Sequence, residues 1–123
     1  MSSTRTVTLN TMDHGPVTFE CPPWCIGHGW QPDGAIGRND ITHNSVRVKA
    51  GVETDRHGWL PMLNVYISWA PFAELVPIVA TELYVQGDFQ AEEIGQVVAG
   101  LQTVQRRLQA MAAEAIRLRE DVL

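Results

Sequence analysis

The chain has 123 residues, 45 % of them hydrophobic and 19 % charged, with a formal net charge of −5. This length suits one domain, 1–123, with a core of its own, and no apolar run nears the ~20 residues that a membrane-spanning helix needs. The acidic balance argues against nucleic acid as a partner, because binding to phosphates rests on clustered Lys and Arg.

Met1-Ser2-Ser3-Thr4-Arg5 lacks the apolar stretch of a signal peptide, so a cytoplasmic protein is expected. Residues 1–20 then read as a β-hairpin. Val7 and Leu9 alternate with Thr6, Thr8 and Asn10, and Val17 and Phe19 alternate with Thr18 and Glu20. Asp13-His14-Gly15-Pro16 supplies the turn between them.

Residues 21–43 change character. The prolines and glycines of Cys21-Pro22-Pro23-Trp24-Cys25-Ile26-Gly27-His28-Gly29-Trp30 exclude both a continuous helix and a central strand. Ordering such a loop costs roughly 1–2 kcal/mol per residue, so something must hold it. Cys21 and Cys25 are the only cysteines, and a secreted disulfide scaffold would carry more. A close pair with histidines nearby reads as a set of metal ligands: Cys21, Cys25 and His28 on one turn, and His43 returning at the start of a strand. Zinc favours such a tetrahedral Cys2His2 set. Two other readings stay open: buried cysteines beside unrelated surface histidines, or a local Cys21–Cys25 disulfide.

Four protein ligands would make the zinc structural, whereas a catalytic zinc keeps one position for water. If His43 stood aside, Cys21, Cys25 and His28 would form an open, hydrolytic type of site. No His-Glu-x-x-His or His-x-Glu pattern supplies a general base for one. Trp24 is expected to pack over the metal turn. His14 and His57 fall in turns and read as exposed.

A third strand is expected over Ile41–Lys49, with Val46 and Val48 on one face. Thr54–Gly58 forms a turn. The fourth strand has Leu63, Val65, Ile67 and Trp69 on its core face and ends at Pro71. A fifth follows through Val79, Thr81, Leu83 and Val85. Residues 44–86 thus carry the remaining strands.

A long helix is expected over 88–123. Asp88 or Gln90 would cap it, and Glu92 and Glu93 would suit the positive end of its dipole. Its apolar residues keep heptad spacing: Ile94, Leu101, Leu108, Ala115 and Val122 in one set, and Val97, Val104, Met111 and Leu118 in the other. Sustained heptads signal a coiled coil. At ~1.5 Å per residue the helix would overhang a domain whose radius of gyration is only ~14 Å. A homodimer or partner-protein contact is therefore expected through Ile94, Val97, Leu101, Val104, Leu108, Met111 and Leu118. Gly95 and Gly100 weaken the helix by ~1 kcal/mol each where exposed, and the alternative reading is a single amphipathic helix lying along its own sheet, bent or broken near Gly100.

The run Cys21-Pro22-Pro23-Trp24-Cys25-Ile26-Gly27-His28 resembles an uncharacterised family of small actinobacterial and phage proteins that share a Cys-Pro-x-Trp-Cys stretch followed by a histidine. Asp40-Ile41-Thr42-His43-Asn44-Ser45 resembles that family's later histidine, and Phe89-Gln90-Ala91-Glu92-Glu93 its acidic helix start. The resemblance implies a metal site and no known activity. The fold expected is α+β: an antiparallel sheet of about five strands, a zinc-binding loop and a long C-terminal helix. The function expected is that of a zinc-stabilised interaction or regulatory module, with a zinc enzyme or a nucleic-acid-binding zinc module as alternatives.

Overall fold

A computed structural model describes residues 5–122 of the chain. It is α+β, as expected, but its strands form two antiparallel sheets rather than one. β1 (Arg5–Thr11) and β2 (Gly15–Cys21) form the N-terminal hairpin, in register from Arg5 opposite Cys21 to Thr11 opposite Gly15. The turn is Met12–His14, one residue earlier than expected. Gly15 takes the left-handed backbone (φ +63°) that closes a three-residue loop, a conformation costly for residues with a Cβ.

The second sheet is built on β5 (Gly58–Trp69), the longest strand. β3 (His43–Asn44) and β4 (Val48–Thr54) pair with different stretches of it, and β6 (Ile78–Leu83) pairs with Leu63–Ser68. The single strand expected over Ile41–Lys49 is thus broken. At the break, the Ser45 hydroxyl accepts the Ile67 amide (2.8 Å) and the Ser45 amide donates to the Ile67 carbonyl. A side chain takes over a ladder bond there, and the chain bends outward. Val46, expected to share a face with Val48, is 70 % exposed, while Val48 packs beside the core.

β5 also carries an irregularity. Ala50 lies opposite Leu63 and Gly51 opposite Pro61, so Met62 is an extra residue. The bulge reverses the alternation and puts Leu60 and Leu63 on one face, with Ala50 and Val52. Pro61 is tolerated there because β6 pairs with β5 only from Leu63 onward.

α1 (Ile94–Val122) lies across this face. It starts later than expected: Ala91–Glu93 forms a 3-10 turn, and the Glu93 carboxylate accepts the Gln90 amide (3.1 Å) in the manner of a capping box. Asp88 is not the cap. Its carbonyl instead accepts a hydrogen bond from His57 Nε2 (3.1 Å).

The helix does not overhang. Val97 and Val104 are buried with Ala50, Val52, Met62, Leu63 and Val65, and Leu108 and Met111 pack beside them. Ala115 and Leu118 close on Ile67 and Trp24. Most of the heptad residues are therefore engaged with the chain's own sheet, and only Ile94 and Leu101 of the named set stay exposed. Gly100 has a packing role. A Cβ there would sit 2.8 Å from the Val52 Cβ, so its absence lets the helix settle onto β4. No described helix is long and apolar enough to cross a membrane.

Candidate metal centre

The site is assembled by three segments. β2 ends on Cys21, directly opposite Arg5 of β1. A tight turn follows, closed by the Cys25 amide on the Pro22 carbonyl (3.0 Å). The two prolines stiffen this turn. Arg5 reaches over from β1 and donates to the Cys25 carbonyl (2.7 Å). Gly27 takes a positive φ of 103°, and its amide donates to Cys25 Sγ (3.4 Å).

His28 follows on the same turn. Its Nε2 lies 3.1 Å from Cys21 Sγ and 3.6 Å from Cys25 Sγ. Its Nδ1 lies 2.8 Å from Gln31 Oε1. An amide oxygen only accepts, so Nδ1 carries the proton and Nε2 presents its lone pair to the sulfurs. Gln31 is itself buried and fixed: its Nε2 donates to the Asp40 carbonyl (3.0 Å), and its Oε1 also accepts the Thr42 amide (3.4 Å). Such a partner orients a histidine for ligation. Gln31 was not evident in the sequence. Its only local signal is its place three residues after His28.

His43 arrives on β3, opposite Trp69 of β5. It is 1 % exposed, and its Nδ1 is buried with no hydrogen-bond partner among the described residues. Burial, with His28 beside it, lowers its pKa from 6.5 to about 4, so the ring is neutral. A neutral, orphaned imidazole nitrogen is costly in an interior unless something accepts its lone pair. Cys21 shows the complementary effect. Burial, and next its neighbour Cys25, raise its pKa from 9.0 to about 11.

All four side chains are buried, and their ligand atoms lie within 4.8 Å of one another. Around a tetrahedral zinc such atoms would be about 3.3–3.8 Å apart, given bonds of about 2.3 Å to sulfur and 2.0–2.1 Å to nitrogen. The donor set fits a metal ion after small shifts: the widest separations contract, and the 3.1 Å approach of His28 to Cys21 opens slightly. Both cysteines are free thiols, which sets aside the local disulfide. The four expected ligand residues are all brought together.

Aromatic rings wall the cluster. Phe19 stands edge-on to His28 (4.9 Å between ring centres) and to His43 (5.6 Å). Trp69 lies 5.7 Å and Trp24 6.3 Å from His43. Trp24 thus packs over the site as expected, and it also joins the site to Ile67 of β5 and Leu118 of α1. The role of Phe19 was not evident in the sequence, where it reads only as a strand core residue.

The loop beyond is tied to the first hairpin. Asn10 donates its backbone N–H (3.0 Å) and its Nδ2 (3.2 Å) to Asp33, and Asp13 accepts the Arg38 amide (2.9 Å). A bond from His14, then that from Arg38, lowers the Asp13 pKa to about 2. The Ile26 amide donates to the Asn44 carbonyl (2.9 Å), joining the turn to β3. His14 and His57 are exposed in their turns and take no part.

The family model for a domain of unknown function, DUF6907, matches residues 6–121, and the chain belongs to that family. No curated protein and no solved structure matches it.

Proposed function

We propose that the chain is a zinc-stabilised module without catalysis of its own, in which Cys21, Cys25, His28 and His43 hold one structural Zn2+. The observation that carries this reading is the burial of all four donors in one cluster, with the His43 Nδ1 left unpartnered beside it. Four protein ligands leave no position for a reactive water, and the cluster contains no carboxylate to act as a base. The thiols and imidazoles suit zinc better than they suit magnesium or calcium, which prefer oxygen.

Bound metal would fix the loop 22–42 against β1–β2 and β3. A module of this kind acts through a surface, in an interaction or regulatory role, and reduced ligand cysteines suit the cytoplasm. Nucleic acid remains a poor fit at a net charge of −5.

Native mass spectrometry under reducing conditions tests the reading. Wild type should carry one zinc per chain, and His43→Ala should lose it or bind it far more weakly. A metal-free wild type would sink the proposal. A His43→Ala protein that keeps stoichiometric zinc with an exchangeable water would favour the open, hydrolytic site instead.

A further inference from the structure

We propose that β6 is a self-pairing edge, through which two copies of this chain join antiparallel into one continuous sheet with Thr81 on the two-fold axis. This surface is independent of the metal centre.

The edges of the molecule differ in how they are guarded. Chain segment 32–36 covers the outer side of β1: the Met12 amide donates to the Ile36 carbonyl (2.9 Å) and the Gly34 amide to the Asn10 carbonyl (2.8 Å). The β3–β4 edge is broken by the bend at Ser45–Arg47 and carries Lys49, whose carbonyl is taken by the Arg107 guanidinium. Breaks, charges and covers are the usual protections against edge-to-edge association. Among the described residues β6 has neither a break nor a cover, and it carries a single charge, Glu82. It pairs only with β5, and its sequence is Ile-Val-Ala-Thr-Glu-Leu.

Its side chains set the register. Val79, Thr81 and Leu83 lie opposite Ile67, Val65 and Leu63, on the face that α1 covers, while Ile78, Ala80 and Glu82 lie on the other. Residues directly opposed in an antiparallel pair share a face, so only registers that match odd with odd are allowed. A two-fold at Thr81 sets Leu83 against Val79 of the second copy and Tyr84 against Ile78. The amide of Tyr84 already continues the ladder by donating to the Met62 carbonyl (2.9 Å). Ile78, Leu83 and Tyr84 are 46 %, 55 % and 65 % exposed, so this register covers three large apolar side chains at once. A two-fold at Ala80 would set Ile78 against Glu82 and leave Leu83 and Tyr84 outside. At Thr81 each Glu82 faces Ala80, and no like charges meet. The two copies meet on one short strand each, at the small end of specific interfaces, so the dimer should be concentration-dependent.

Sedimentation velocity across a concentration series tests this on the full chain, with circular dichroism confirming that each variant folds. Wild type should approach twice the monomer mass. Thr81→Lys and Thr81→Glu, each placing like charges face to face on the axis, should both stay monomeric. Mixed in equal amounts they should regain the dimer. Leu101→Lys, on the exposed helix stripe, should leave wild-type association unchanged. A monomeric wild type, an undisturbed Thr81→Lys dimer, a mixture that stays monomeric, or association lost only in Leu101→Lys would each overturn the proposal.

Discussion

Two hairpins in this protein share a turn and differ in what closes them. Thr11-Met12-Asp13-His14-Gly15 and Thr54-Asp55-Arg56-His57-Gly58 have the same frame. In each, the threonine hydroxyl accepts the histidine amide at 3.0 Å, and the glycine takes a positive φ. Yet β1–β2 packs a small cluster of Leu9, Phe19, Cys21, Cys25 and Ile41 against a mostly irregular loop. β4–β5 packs its face under a 29-residue helix. Turn chemistry brings strands together, and something else must supply the burial. One half takes it from a helix, and the other has less apolar area and a buried Cys21/Cys25/His28/His43 cluster that could hold a metal.

The largest test of this contrast is to strip the metal. Chelation under reducing conditions should raise amide exchange throughout 22–42 and at β2, while α1, β4 and β5 stay protected. Structural zinc contributes on the order of 10 kcal/mol in small metal-held units, so the loss should be large on one side only. Cooperative unfolding of the whole chain would break the contrast. The metal-free protein should also weaken in acid. The folded pKa of His43, about 4, lies below its ordinary 6.5. The unfolded chain therefore takes up the proton first, and stability present above about pH 6.5 falls as the pH drops toward about 4.

The reverse test is Leu63→Ala in the helix-covered core. It should cost about 2–5 kcal/mol in denaturant unfolding and leave metal stoichiometry unchanged. Gln31→Leu removes the acceptor that orients His28. It should weaken zinc binding about 10–100-fold in a chelator competition, with Gln31→Glu recovering most of the loss. Equal affinity in both variants would show that Gln31 does not position the ligand.

The smallest effects separate two glycines of one helix. Gly100→Ala should destabilise by about 1–3 kcal/mol, because its methyl group meets Val52 and the Gly51 carbonyl. At Gly95 no atom of the described residues lies within 4 Å of an added Cβ. Gly95→Ala should therefore stabilise by about 1 kcal/mol through helix propensity alone. Melts in which both variants shift the same way would contradict the packing described for Gly100.

Legibility in the sequence followed the range of the forces involved. The hairpin at β1–β2, the core face of β5 and the existence of the helix are written in local periodicity, which neighbours in the chain enforce. The Cys21/Cys25/His28/His43 cluster was legible because few residue types bind soft metals and three of these fall close together. What stayed hidden depends on contacts distant in the chain. The bend at Ser45 follows from a hydroxyl meeting a strand some twenty residues away. The bulge at Met62 reverses the face of Leu60 only because β4 pairs across it. Heptad spacing in α1 suits a partner helix and a broad sheet equally well, and only the fold shows Val97 and Val104 against β4 and β5. Gln31 and Phe19 serve the site through tertiary placement, which no spacing rule records.

X-ray absorption at the zinc edge of the purified, reduced protein reads the ligand shell itself. The expected shell is a four-coordinate ion with two sulfurs at about 2.3 Å and two imidazole nitrogens at about 2.0 Å, with one nitrogen lost in His43→Ala. A shell with two sulfurs, one nitrogen and a water oxygen in the wild type would contradict it.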